Sequence, residues 1–94
     1  METLEAYQTM TIWHCRVCGL DYEESPWGLD DRTPDYTICE CCGAEFGYDD
    51  YTPASVRRYR LNWLQSGAAW FYPKLRPADW QPEPQLAYVP EPYR

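Results

Sequence analysis

Cys15-Arg16-Val17-Cys18-Gly19 and Cys39-Glu40-Cys41-Cys42-Gly43 share the form C-x-x-C-G, with twenty residues between Cys18 and Cys39. Two residues between cysteines let one tight turn aim both sulfurs at the same point, and two such turns can close a tetrahedron around one metal ion. The glycine after each pair permits a positive φ, where backbone N–H groups can turn toward thiolate sulfur. The spacing therefore predicts two knuckles facing each other, with Cys15, Cys18, Cys39 and Cys42 as ligands. Four bound sulfurs leave no open position for water or substrate, which makes such a site structural rather than catalytic. Zn²⁺ is the expected ion, and Fe is the alternative because soft thiolates accept both.

Cys41 breaks the symmetry. Pairing it with Cys39 or Cys18 is an alternative ligand set, although Cys-x-Cys is the poorer chelating turn. It reads as a spare thiol, so Cys41→Ala is expected to be mild and loss of Cys18 or Cys42 severe. His14 is the sole histidine and adjoins Cys15. Its side chain points away from its neighbour's, so it reads as packing rather than ligation.

Outward from the knuckles, residues 7–14 alternate and are rich in β-formers, and Tyr36 to Cys39 does likewise, so each knuckle is expected to be entered by a strand. Asp21 to Asp35 carries Pro26, Gly28, Asp30, Asp31 and Pro34 and reads as an acidic surface loop without EF-hand spacing. Thr52-Pro53 is an N-cap with proline at the first helical position, and Gly67 a stop, which predicts one helix over about 53–66. Val56, Tyr59, Trp63 and Leu64 share its apolar face. Arg57, Arg58 and Arg60 are read as a solvated surface. Six prolines and six aromatic residues then fall in the last 27 positions. They predict an extended strap over 68–86, without regular structure, and a flexible tail over 87–94.

The chain has 94 residues, the size of one domain. Leu, Ile, Val and Phe fill only 14 positions, yet five Trp and nine Tyr can supply a thin aromatic core around a metal. The fold class expected is α+β: a single zinc-ribbon domain over 1–86, with short strands, one helix and the strap. Net charge is −7, divided into −10 over residues 1–53 and +3 over the remainder. Such a balance opposes nucleic-acid binding despite Arg57, Arg58, Arg60, Lys74 and Arg76. No run is long and apolar enough to span a bilayer, and C-x-x-C grouping suits a reducing compartment, so a cytoplasmic location is expected. No phosphate loop, open metal triad, nucleophile elbow or Cys-His dyad is present, and no enzymatic activity is expected.

Pro26-Trp27-Gly28, the run from Pro34 to Asp50 through Cys39-Glu40-Cys41-Cys42-Gly43, and the Tyr59-to-Trp70 segment resemble a group of small bacterial cysteine-rich CPCC proteins. The resemblance spans residues 13 to 86. Glu40 departs from it where the family name implies proline, as does Arg16-Val17 in the first knuckle. Cys15 to Tyr22 also resembles the first half of a rubredoxin, whereas Cys41, the helix and the strap do not. The CPCC resemblance implies a metal-bound ribbon and transfers no reaction or catalytic residue. It further implies a protein partner, a toxin neutralised by an immunity protein, and the acidic half of the chain suits a basic toxin. The rubredoxin resemblance implies iron and electron transfer instead.

Overall fold

The computed structural model describes residues 13–94. Two strands, β1 (Trp13–His14) and β2 (Asp21–Tyr22), form an antiparallel hairpin with Trp13 opposite Tyr22 and His14 opposite Asp21. The first knuckle is its connection. After the acidic loop and the second knuckle comes the main helix, α1 (Pro53–Gln65). The chain continues through a 3₁₀ turn at Pro73–Leu75, a short helix α2 (Pro82–Leu86) and a second 3₁₀ turn at Glu91–Tyr93. A two-stranded sheet and one main helix make this a small α+β fold. No described helix is long and apolar enough to cross a membrane.

Helix α1 starts where its first residues direct. The Thr52 hydroxyl accepts from the Ser55 amide at 3.1 Å, and the Ser55 hydroxyl accepts from the Thr52 amide at 3.2 Å. This reciprocal cap satisfies donors that the first turn leaves free, and Pro53 has no donor to satisfy. At the far end Gly67 adopts φ +105° and the Ala68 amide returns to the Trp63 carbonyl at 2.8 Å. Val56 and Trp63 are buried against the knuckles, and Tyr59 reaches across to donate its hydroxyl to the Cys42 carbonyl at 3.0 Å.

The core is one cluster that holds all five cysteines, and partly buried rings such as Trp13, Tyr22 and Trp80 pack against it. Phe46 sits edge-to-face with Trp13 and Tyr22, at 5.6 and 5.5 Å between ring centres. Trp80 meets Trp70 at 5.5 Å and Trp63 at 6.2 Å. Pairs of this kind add about 0.5–1.5 kcal/mol each beyond the area they bury.

Three expectations are corrected, and a fourth is seen only in part. The strand expected over 36–39 is reduced to one bridge, Ile38 with Glu45. Tyr36 has φ +61°, and the Asp35 carboxylate takes the Thr37 amide at 3.0 Å, so a local side-chain turn displaces the ladder there. Of the strand expected over 7–14, Trp13–His14 is observed and the rest lies outside the described residues. The strap is not simply extended: Pro73 and Pro82 each open a helical turn, a position that the fixed φ of proline favours as much as it favours extension. The tail over 87–94 is packed rather than loose. Val89 is only 3% exposed, the Tyr93 ring lies 4.7 Å from the Arg16 guanidinium, and Arg94 donates to the carbonyls of Val89 and Ala87.

The strap crosses both knuckles. The amides of Phe71 and Tyr72 donate to the carbonyls of Cys41 and Glu40 at 2.9 and 3.0 Å. Further along, the Gln85 side-chain amide donates to the Cys18 carbonyl at 3.2 Å and to Cys41 Sγ at 3.4 Å. Gly19 makes this second landing possible. It has φ +86°, and a β-carbon there would overlap the Gln85 carbonyl oxygen. Gly19→Ala is therefore expected to destabilise by about 2–4 kcal/mol, combining backbone strain with displacement of the strap. Gly67→Ala, equally left-handed but with nothing within 4 Å of the added carbon, should cost about 1–2 kcal/mol. Chemical denaturation of the two variants side by side separates the contributions.

Candidate metal centre

The two knuckles are built alike. In the first, the Cys15 amide donates to the Leu20 carbonyl at 2.8 Å and the Gly19 amide to the Cys15 carbonyl at 2.9 Å. In the second, Cys39 donates to Ala44 at 2.8 Å and Gly43 to Cys39 at 2.9 Å. Gly19 and Gly43 have φ of +86° and +82°. Repetition of the sequence pattern has produced repetition of backbone geometry, and each turn presents two sulfurs inward.

The sulfurs of Cys15, Cys18, Cys39 and Cys42 all lie within 4.8 Å of one another and are buried. Contacts cross between the knuckles, Cys15 to Cys42 at 3.8 Å and Cys18 to Cys39 at 3.7 Å. A tetrahedron with metal–sulfur bonds of about 2.3 Å has sulfur–sulfur edges of about 3.8 Å, and these two cross-knuckle contacts match that edge. Burial pushes the Cys18 and Cys42 thiols well up, while neighbouring thiols donating to Cys39 pull it down. Several thiolates in one buried pocket need a bound cation to coexist, so metal uptake here releases protons and weakens as the pH falls. The four cysteines can hold a metal ion.

Cys41 is fully buried but outside this cluster, its sulfur facing Gln85. His14 also stays outside, stacked on Tyr88 with ring centres 5.1 Å apart. The Tyr22 phenol is buried without a hydrogen-bond partner among the described residues. Burial first, and then the charge of Cys39, push its pKa far above the ordinary value, so the proton stays on oxygen beside the sulfur site.

Two arginines sit under the site. Arg60 does not belong to the solvated helix surface expected of it. Its Nε donates to the Val17 carbonyl at 2.7 Å, and its Nη2 donates to the carbonyls of Arg16 and Tyr93 at 2.9 and 2.6 Å. Burial lowers its pKa, partly offset by the nearby charges of Cys15, Cys18 and Cys42, which favour the guanidinium. Arg60 thus places a cation beside the thiolates while tying α1 to the first knuckle and the C-terminal turn. Arg16, between the first two ligands, is 4% exposed, with its guanidinium 3.9 Å from the Trp27 ring and 4.7 Å from the Tyr93 ring. It also pairs with Asp31 at 2.9 Å.

Asp50 completes this support. It is fully buried, and its two oxygens accept from the Trp27 indole at 2.8 Å and the Gly47 amide at 2.6 Å. Burial raises its pKa despite those donors. The folded form therefore holds the proton more tightly than the unfolded chain. That contribution is fully present below the ordinary carboxylate range and lost as the pH rises through the folded value. Asp50→Asn would set an NH₂ against one of two N–H donors, with an expected loss of about 1–3 kcal/mol, read by denaturant titration at neutral pH. Of these supporting groups the sequence flagged none as such. Arg60 alone carried a signal, lying four positions after Val56 and three before Trp63 on the buried face of α1.

The fold and site define a small α+β protein with a buried four-cysteine centre. The chain is similar to the uncharacterized protein YoaQ of Bacillus subtilis (strain 168), with 29% identity over an alignment 82 positions long and with 71% of this chain and 70% of that protein covered. No family model matches the chain, and no solved structure matches it.

Proposed function

We propose that this is a non-enzymatic zinc-binding protein that acts through contact with another protein, its acidic half meeting a basic partner in the manner of an immunity protein and a toxin. The convergence of four buried sulfurs carries the reading, because a closed S₄ shell leaves the ion no position for substrate. Zn²⁺ at four thiolates adds a formal −2 to an already acidic half, and the two supporting arginines answer only part of it. The surface is left suited to a cationic partner, for which charge complementarity sets encounter rate and selectivity. Resemblance to the CPCC proteins supports the same reading. Nucleic acid is a poorer match, since the donors of Arg60 are engaged with backbone carbonyls.

Metal analysis of the purified protein tests the first half: one Zn per chain and a colourless solution are expected. The matched knuckle hydrogen bonds favour one second reading, a rubredoxin-like iron centre, and visible absorbance with one Fe per chain would replace zinc with it. Capture from the native host tests the other half, with a basic protein recovered at low salt and released as ionic strength rises.

A further inference from the structure

Beside the first knuckle, under α2, lies an open hollow of about 630 Å³ whose walls include His14, Asp21, Asp79, Trp80, Gln85 and Tyr88. Its aromatic walls are held in place. The His14 ring, opposite Asp21 in the hairpin, stacks on Tyr88 with 16° between planes. Trp80 is fixed by its indole, which donates to the Gln85 side chain at 2.9 Å. No lysine or arginine lines the hollow. Asp21 and Asp79 are exposed, and among the described residues the ion pair formed is that of Arg16 with Asp31. Arg76, 5.6 Å from the Trp80 ring, lines the neighbouring hollow instead.

Two carboxylates beside fixed aromatic faces recognise a cation that is also flat. Carboxylates supply the charge and a fork of acceptors, and the rings supply stacking area already ordered before binding. A guanidinium meets both demands, whereas an ammonium offers no plane and an anion is repelled. We infer that this hollow receives an arginine side chain presented by the protein partner, an inference that rests on the proposed function and names its contact point. The floor of the hollow adjoins the metal centre. Gln85, which holds Trp80, also donates to the Cys18 carbonyl, and Gly19 lines the same space. Occupancy is thereby felt at the first knuckle.

The test is a titration of ¹⁵N-labelled protein, carrying the metal with which it is purified, with Nα-acetylarginine methylamide, followed by NMR. The Trp80 indole signal and the Gly19 and Tyr88 amides are expected to shift together along one saturating curve, and capped norleucine should leave them in place. The Asp21→Asn, Asp79→Asn double variant should weaken the capped arginine by roughly three- to tenfold. Asp79→Asn alone, exposed and outside the hairpin, gives the same direction should the double variant fail to fold. Shifts confined to the acidic loop over 23–35, or affinity unchanged in both variants, would overturn the assignment. A captured basic partner that binds both variants as tightly as the parent would likewise overturn the hollow while leaving the proposed function standing. Saturation at Trp80 with no protein recovered from the host would sustain the hollow and remove that function.

Discussion

Stripping the metal is expected to abolish cooperative thermal unfolding, with loss of near-ultraviolet aromatic circular dichroism and release of the strap. The four sulfurs join segments twenty residues apart, and each knuckle carries few apolar residues of its own. A structural tetrathiolate site has an apparent binding free energy of about 10–16 kcal/mol near neutral pH, comparable to or larger than the whole stability of a small domain. Removing it leaves buried thiols whose ionisation burial opposes, at the centre of the one cluster on which the aromatic rings pack. Cys18→Ser and Cys42→Ser should reproduce the effect, with metal content near zero by native mass spectrometry. A chelated protein that still melted at the parent temperature would show that the aromatic core folds unaided.

Arg60→Met should be among the most damaging changes outside the cysteines, lowering stability by about 3 kcal/mol and the melting temperature by more than 10 °C. Methionine preserves helix propensity and much of the packing volume, so the loss isolates the guanidinium. Three carbonyls, of Val17, Arg16 and Tyr93, would then lack their donors, and the thiolates would lose an adjacent cation. Arg60→Lys should recover little, because an ammonium cannot reach three acceptors in the geometry of a planar fork. Arg57→Ala and Arg58→Ala, at exposed neighbouring positions, should stay within about 0.5 kcal/mol of the parent. Thermal melts of the four variants make the comparison, and equal effects at 57, 58 and 60 would contradict the role assigned to Arg60.

What could be read in advance was what local chemistry dictates. Cysteine spacing and the following glycines defined the knuckles because a chelating turn is closed within five residues. Thr52, Pro53 and Gly67 bounded α1 for the same reason: caps are satisfied by near neighbours. The role of Arg60 is not legible although its place between Val56 and Trp63 puts it on the buried face, since two exposed arginines near it suggest a common role. The turns of the strap are not legible because proline pre-sets a φ shared by extended chain and by the first residue of a helix, and only the surface it packs on decides between them. Gln85, Val89 and Tyr93 gave no local sign at all. Gln85 lands on Cys18, and Tyr93 meets Arg16 and Arg60, contacts which no nearby pattern announces.

The landing of Gln85 on Cys18 joins positions 67 apart, and its contact with Cys41 joins positions 44 apart. Closing a flexible loop grows dearer only by about 0.6 kcal/mol per doubling of length, so those two separations differ by a few tenths. The distance travelled by the strap is therefore almost without consequence, and only its points of contact are constrained. Between Arg76 and Ala78, where the chain is exposed, related proteins are free to lengthen or shorten the path. At position 19 they have no such latitude, and divergence in this fold should be written as changes in length along the strap and as invariance where it touches down.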